Sequence, residues 1–147
     1  MNNLIDGYKV YLASNFALYL KTHNAHFNVT GMFFPQLHEL FKEQYEDLFG
    51  AYDTIGENIR KLDAFTPASL GEYRKLSVID DQDGVLSAKD YVDRLLKDHE
   101  RIMVLINMVF KLAEADNRQA DMNFFADRLD VHGKHRWMLK TLLHSVA

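Results

Sequence analysis

The chain has 147 residues, of which 48% are hydrophobic and 26% are charged, and its formal net charge is −4. These values are typical of a globular protein, and we expect one domain over residues 1–147. The chain contains no cysteine, which excludes disulfides, iron–sulfur clusters and thiolate zinc sites. The acidic balance disfavours a nucleic-acid-binding protein and is compatible with the handling of cations.

Neither a signal peptide nor a membrane span is indicated by the sequence. Residues 1–12 lack the basic region and the apolar run of a signal peptide. No window of the chain approaches the ~18 apolar residues that a membrane span needs. We therefore expect a cytoplasmic protein that does not insert into a membrane.

The first predicted helix runs from Leu4 to about Asn28. Its apolar positions recur at spacings of three and four, which indicates one broad buried face. These positions are Leu4, Tyr8, Tyr11, Leu12, Asn15, Phe16, Tyr19 and Leu20. Gly31 can adopt the positive φ that follows many helix ends, and Pro35 suits the first turn of the next helix. Together they predict a hairpin between two antiparallel helices.

The second predicted helix runs from about Phe34 to Leu62, and a less regular segment follows it. The helix keeps the same apolar spacing at Leu37, Leu40, Phe41, Tyr45, Leu48, Tyr52, Ile55 and Ile59. Residues 64–83 contain a proline and a polar turn cluster, and this length suggests a crossover along the bundle. One short helix is predicted inside it, with apolar positions at Leu70, Tyr73, Leu76 and Val78.

Two more long helices are predicted in the second half of the chain. Ser87 is expected to cap the third helix, which ends near a polar cluster at residues 114–117. The fourth helix covers about residues 119–144, with apolar positions at Phe124, Phe125, Leu129, Trp137, Met138, Leu142 and Leu143. The predicted fold class is therefore all-α: a four-helix bundle with a short helix in the long crossover between helices 2 and 3.

Four side chains of metal-ligand type lie between residues 23 and 60. His26 and His38 flank the predicted hairpin turn, so their imidazoles can converge. Asp53 and Glu57 are one helical turn apart, where like charges repel unless a cation lies between them. Imidazole and carboxylate together suit iron and other first-row divalent metals. A solvated acidic stripe remains the alternative for the acid pair, and a core or surface role for each histidine.

These four residues cannot meet at one metal within a single chain. His38 and Asp53 lie on one predicted helix, and their separation in sequence corresponds to ~22 Å along its axis. The intrachain diiron bundles use Glu-x-x-His pairs, but no glutamate here has a histidine three positions on. A twofold axis between two copies would place His26 and His38 of one beside Asp53 and Glu57 of the other. Such symmetry creates two equivalent sites per dimer.

The sequence resembles the Dps proteins, a family of ferritin-like miniferritins, over nearly its whole length. The resemblance is strongest in HFNVTG from residue 26, LHELF from residue 37 and DTIGE from residue 53. The segment ADRLDVHGKHRWML from residue 126 is similar to the closing helix of the family, and PASLGEY from residue 67 to its short crossover helix.

The resemblance implies a ferritin-like dodecamer that is hollow and is built from twofold dimers. It implies ferroxidase sites between subunits, which oxidise Fe(II), preferably with hydrogen peroxide, and release Fe(III) into the shell for storage. His26 and His38 would be ligands from one subunit, with Asp53 and Glu57 from its twofold mate. Iron is then both the bound metal and the substrate, and removal of peroxide would protect DNA from oxidative damage.

The sequence departs from the family pattern near His26, His38 and Glu57. Phe27 stands where the family usually has tryptophan, which leaves the handling of radicals open. Lys42 stands where it often has aspartate, which leaves the number of irons per site open. Asn58 and Gly56 replace a common arginine and alanine. None of these changes removes one of the four ligands.

DNA binding is not expected from this sequence. Members that bind DNA often use a lysine-rich tail, because phosphate contacts supply most of the affinity. Lys9 is the only basic residue among the first ten, and the chain closes with LLHSVA. A local basic patch of Lys134, His135, Arg136 and Lys140 is interpreted as an ordinary solvated helix face. We expect no strong DNA binding at physiological salt and neutral pH.

Three acidic residues near the start of the fourth helix are candidates for an iron entry pore. They are Asp116, Asp121 and Asp127, which can form negative rings around a threefold axis and concentrate cations. The alternative is a solvated helix terminus whose acids complement the helix dipole.

Two other functions stay open at this point. One is a Dps-like scaffold or DNA-compacting assembly without an active ferroxidase site. The other is a four-helix interaction protein that binds no metal. The four intact ligands favour the iron-oxidising miniferritin over both.

Overall fold

The computed structural model describes the backbone of residues 1–146 and the side chains of residues 1–144. Over these residues the chain forms five α-helices and no strand. The bounds are α1 Leu4–Asn28, α2 Phe34–Lys61, α3 Leu70–Leu76, α4 Ala88–Ala115 and α5 Gln119–Val146. The predicted fold class, four long helices with a short one in the crossover, is confirmed.

Side-chain caps fix the start of three helices. Asn3 accepts a hydrogen bond from the backbone N–H of Asp6 at the start of α1 (2.8 Å). Ser69 caps α3 through the N–H of Glu72. Ser87 caps α4 through the N–H of Asp90 (3.1 Å), as the sequence predicted. Each cap supplies an acceptor to a backbone donor that the first helical turn leaves without an intrahelical partner.

Helices α1 and α2 form one antiparallel pair, α4 and α5 form the other, and α1 also packs against α4 and α3. The interface between them is an apolar core whose largest fully buried side chains are aromatic. These are Tyr8, Tyr11, Phe41, Tyr91 and Phe125. The hairpin between α1 and α2 has Gly31 at φ +111°, and Pro35 lies in the first turn of α2. The turn therefore holds the end of α1 against the start of α2.

Three details of the sequence prediction were wrong. Leu20 was placed on the buried face of the first helix, but it is 54% exposed. Trp137 was placed among the core positions of the last helix, but it is 62% exposed. Val78 lies beyond the end of α3. The last helix also extends past the predicted end at residue 144, whereas Ser145–Ala147 of the closing LLHSVA lie outside the described side chains.

Candidate metal centre

His26 and His38 face each other across the hairpin. His26 lies in the last turn of α1, and His38 lies near the start of α2. Their rings stack with a centroid separation of 3.8 Å and an interplanar angle of 16°. The convergence that the sequence predicted for this pair is thus present within one chain.

Each histidine of this pair binds the backbone of the other. His26 Nδ1 lies 2.7 Å from the carbonyl oxygen of His38, and His38 Nδ1 lies 2.7 Å from the carbonyl oxygen of His26. A carbonyl oxygen can only accept, so each Nδ1 carries the hydrogen and donates it. In a neutral imidazole with Nδ1–H, the other nitrogen has a free lone pair. The geometry therefore presents two adjacent Nε2 lone pairs. A histidine that binds a metal commonly coordinates it through one ring nitrogen while the other nitrogen donates a hydrogen bond, as here.

Aromatic side chains enclose the histidine pair. Phe34 stacks on His38, with ring centroids 4.9 Å apart. Tyr45 lies edge-on to His26 at 5.1 Å and stacks on His23 at 4.0 Å. Burial, together with the nearby His26, lowers the pKa of His23. The surroundings of His23 thus disfavour a positive charge next to the two Nε2 lone pairs.

Asp53 and Glu57 lie at a different level of the bundle. Both are exposed on α2, one helical turn apart, and neither has an ion-pair or hydrogen-bond partner among the described side chains. The rise of ~1.5 Å per residue puts Asp53 ~22 Å along α2 from His38. No group of three or more ligand-type side chains within residues 1–144 is arranged to hold a metal ion. A single subunit therefore contains two separate halves of the predicted ligand set.

A second histidine cluster, which the sequence analysis missed, lies in the interior of the bundle. His99 on α4 and His132 on α5 are fully buried, and their Nδ1 atoms are 2.8 Å apart. His135, one turn beyond His132, has its Nε2 3.0 Å from Asp47 Oδ2. Burial lowers the pKa of His99 to about 3, helped by the nearby His135, and lowers that of His132 well below its usual value. The only hint in the sequence was the spacing of His132 and His135 with Leu139 on one helix face.

Arg128 neutralises the acidic member of this interior cluster. Its NH1 and NH2 groups donate to the two carboxylate oxygens of Asp47, each at 2.9 Å, and its Nε donates to the Tyr11 hydroxyl. Burial alone would raise the pKa of Asp47, but the hydrogen bonds from His135 and Arg128 outweigh it and lower that pKa. The carboxylate is ionised and already paired, so it is not free to hold a metal.

This interior cluster also corrects the interpretation of the basic patch. His135 is buried against Asp47, and Arg136 donates to Glu100 on α4 at 2.8 Å. Only Lys134 and Lys140 of the four residues are exposed. The last helix therefore presents a weaker positive surface than the sequence indicated.

The three pore candidates lie in different environments. Asp116 and Asp127 are exposed, whereas Asp121 is buried. One oxygen of Asp121 accepts from the Tyr8 hydroxyl and the other from Arg118 Nε at 2.6 Å. A role in lining the pore stays a prediction for all three residues. At Asp121, the binding of a passing cation would compete with these two hydrogen bonds.

Known proteins share this arrangement of helices and have related sequences. A family model described as a ferritin-like domain matches residues 10–147. The DNA protection during starvation protein of Brevibacillus brevis is 32% identical over 130 residues, covering 86% of this chain and 85% of that protein. The chain belongs to the Dps family of ferritin-like proteins. Iron storage and the protection of DNA are the functions associated with Dps proteins as a family.

Solved structures of relatives agree with this membership. The crystal structure of a Dps protein from Bacillus brevis has a TM-score of 0.92 at 26% identity, covering 95% of this chain and 94% of that one. The crystal structure of antigen TpF1 from Treponema pallidum has a TM-score of 0.91 at 30% identity, covering 95% and 90%. None of the described helices is long and apolar enough to cross a membrane.

Proposed function

We propose that this protein is an iron-storing ferroxidase whose sites form between two copies of the chain. Fe(II) is the substrate, hydrogen peroxide is the preferred oxidant, and Fe(III) is stored inside a hollow dodecamer in the cytoplasm. The observation that carries the proposal is the reciprocal bonding of His26 and His38, which leaves two adjacent Nε2 lone pairs free. A core or surface histidine has no need of such an arrangement.

The missing ligands come from Asp53 and Glu57 of a twofold-related copy. These carboxylates are exposed and unpaired among the described side chains, so a second copy can reach them. Because a twofold contact is reciprocal, each dimer contains two sites of two imidazoles and two carboxylates. That mixed set of nitrogen and oxygen ligands suits iron.

The surface around the histidine pair is suited to burial against another copy. Phe27, Met32 and Phe49 are large apolar side chains that are 66%, 87% and 54% exposed. A groove of about 620 Å³ lies between α1 and the crossover, and Leu20 and Phe27 are among its lining residues. Apolar patches of this kind mark contact surfaces in proteins that assemble. The proposed dimer covers them.

The chemistry follows from the charge of the ligand set. Two anionic carboxylates stabilise Fe(III) relative to Fe(II), which favours loss of an electron to peroxide. Two Fe(II) ions, one H₂O₂ and two protons give two Fe(III) ions and two water molecules, so no hydroxyl radical is released. DNA is protected because iron and peroxide are consumed together, and this mechanism needs no contact between protein and DNA.

The first test follows iron and protein through one sizing column. Fe(II) is added anaerobically, peroxide follows, and the protein peak is assayed for iron. The proposal expects Fe(III) to co-elute with a particle of about twelve subunits. A twelve-subunit particle that leaves its iron behind as precipitate would indicate a scaffold without an active site. A monomer or dimer without iron would overturn the proposal altogether.

The second test separates the ligands from the assembly. The double variant His38→Ala with Asp53→Ala should lose iron oxidation and still form the shell. Asp53 makes no bond within its own subunit, and alanine at position 38 keeps the backbone carbonyl that accepts from His26. The matched control replaces Glu39 and Glu46, exposed acids on the same helix, by alanine. Loss of oxidation in both variants would mean that general acidity of α2, and not the four ligands, supports the reaction.

A further inference from the structure

Arg60 lies less than one helical turn beyond the proposed ligand Glu57 on α2, but it contacts the chain that follows the helix. One N–H group of its guanidinium donates to the carbonyl oxygen of Ala64 at 2.9 Å. The same guanidinium lies over the ring of Phe65, 4.5 Å from the ring centroid. Phe65 is 82% exposed, so packing in the apolar core does not account for the position of this ring.

The contacts of Arg60 matter because of what they leave unpaired. An arginine three positions after a glutamate on a helix is within reach of its carboxylate. The planar guanidinium can donate to both carboxylate oxygens at once, which makes such pairs specific. Among the side chains of residues 1–144, however, Glu57 has no ion-pair or hydrogen-bond partner. A metal ligand has to be unpaired in this way, because a bound guanidinium would occupy the oxygens and repel the cation.

We propose that Phe65 is a positioning residue, which holds Arg60 away from Glu57 and so keeps that carboxylate available to a metal shared with a second copy. This inference rests on the proposed ligand set. The aromatic face and the carbonyl of Ala64 offer the guanidinium two contacts in place of one exposed ion pair. The exposed ring therefore has a role at the site without touching the metal.

The end of α2 places Phe65 beside Arg60. Asp63 adopts a left-handed backbone conformation with φ +63°, and its N–H donates to the carbonyl oxygen of Arg60 at 3.0 Å. The chain reverses at this residue and runs back along the last turns of the helix. Thr66 Oγ1 then donates to the carbonyl oxygen of Gly56 at 2.7 Å. Phe65 is thus held between a turn on one side and a hydrogen bond on the other.

Lys61 is the other basic side chain within about one turn of Glu57. It is exposed and has no ion-pair partner in the part of the chain whose side chains are described. An ammonium is strongly hydrated and acts as a single point charge, so it competes with a divalent cation for a carboxylate less than the guanidinium does. Lys61 therefore provides the matched control for Arg60.

The test measures anaerobic binding of Co(II) to shells of native size, so the readout does not depend on iron oxidation. Binding at the proposed site is the part that Asp53→Ala with Glu57→Ala removes. Phe65→Leu keeps an apolar side chain but removes the aromatic face, which frees Arg60 to pair with Glu57. The dissociation constant should then rise about two- to fivefold, as expected for competition by an exposed ion pair. Phe65→Trp keeps an aromatic face and should bind Co(II) as the wild type does.

Rescue by a second substitution distinguishes this role from a purely structural one. Arg60→Gln should tighten Co(II) binding more in the Phe65→Leu protein than in the wild type, where Arg60 is already held away. Lys61→Gln should have the same effect in both proteins.

Two results would overturn the inference: a Phe65→Leu protein that binds Co(II) like the wild type, or an equal effect of Arg60→Gln in both proteins. The second would mean that Phe65 acts in another way, such as contact between copies. A wild type whose Co(II) binding is unchanged by Asp53→Ala with Glu57→Ala would overturn the proposed ligand set as well. Shells that show the expected rescue but oxidise no Fe(II) would confirm the role of Phe65 and overturn the ferroxidase proposal alone.

Discussion

Arg128 on α5 holds both carboxylate oxygens of Asp47 on α2 at 2.9 Å, in the interior of the bundle. Four-helix carboxylate proteins place their intrachain metals in this interior, between facing helices. Here the cation beside Asp47 is the guanidinium of Arg128, which also donates to Tyr11, and His135 lies against the same carboxylate. Each charge of this pair is thus compensated by the other inside the bundle. Asp47 is therefore already paired and is not available as a metal ligand within the bundle.

Removal of the Asp47 carboxylate should destabilise the bundle strongly. Asp47→Asn keeps the shape of the side chain but leaves the Arg128 charge without a partner, and the Arg128 side chain is 9% exposed. Because breaking a buried ion pair costs roughly 3–5 kcal/mol and Asp47 is partly exposed, we expect a loss of about 3 kcal/mol. Urea denaturation at matched protein concentration measures it.

The control for this substitution is Asp93→Asn, which breaks the exposed pair between Asp93 and Lys97 on α4. Water screens an exposed pair at this spacing, so its loss should change the free energy of unfolding far less than the loss of Asp47. Equal losses of unfolding free energy in the two variants would show that burial does not strengthen the interaction between Arg128 and Asp47.

The buried histidines should make the fold sensitive to acid. The pKa of His99 is lowered to about 3 and that of His132 well below its usual value, chiefly by burial. In the unfolded chain both return to about 6.5. Between about pH 6.5 and 3 the unfolded state binds protons that the folded state does not, so the free energy of unfolding falls as the pH falls. Each histidine contributes a slope of about 1.4 kcal/mol per pH unit.

The groups that face these histidines do not reverse the trend. Tyr11 and Arg128 keep their protons throughout this window, and Asp47 adds a further loss only below its unfolded pKa of about 3.9. His132→Leu should reduce the slope of unfolding free energy against pH, whatever it does to the absolute stability. The exposed His144, replaced by Gln, is the control and should leave the slope unchanged. A wild-type stability that is flat from about pH 7 to 5 would contradict the prediction.

The hairpin and the histidine pair could be predicted from sequence because both depend on local signals. Gly31 and Pro35 mark the turn, and the turn alone brings His26 to His38. The interior cluster could not be predicted this way, because His99 and His132 are 33 residues apart in the chain and meet only through the packing of α4 against α5. A histidine on an apolar helix face looks the same in sequence whether it is buried or exposed. The same ambiguity explains why Trp137 was assigned to the core.

The reciprocal bonds predict the tautomer of both ligand histidines. Free histidine prefers the hydrogen on Nε2, whereas His26 and His38 should carry it on Nδ1, because each Nδ1 faces a carbonyl oxygen. Solid-state nitrogen NMR of iron-free protein with labelled histidine distinguishes the two forms at neutral pH. His38→Ala assigns the signals, and His26 should keep its hydrogen on Nδ1, because the carbonyl oxygen that accepts it belongs to the backbone of residue 38 and is kept in the variant. Signals of Nε2–H for both residues in the wild type would contradict the ligand geometry.

The division of the site between two subunits predicts that two inactive variants can restore activity to one another. One variant carries His26→Ala and His38→Ala, and the other carries Asp53→Ala and Glu57→Ala. In a mixed dimer one site has both defects and the other has all four native ligands. Shells that are dissociated, mixed in equal amounts and reassembled should therefore regain about a quarter of the wild-type rate, since half of the dimers are mixed. Each variant reassembled alone is the control and should stay inactive. No recovery, in mixed shells of native size, would mean that the histidines and carboxylates do not act at one shared site.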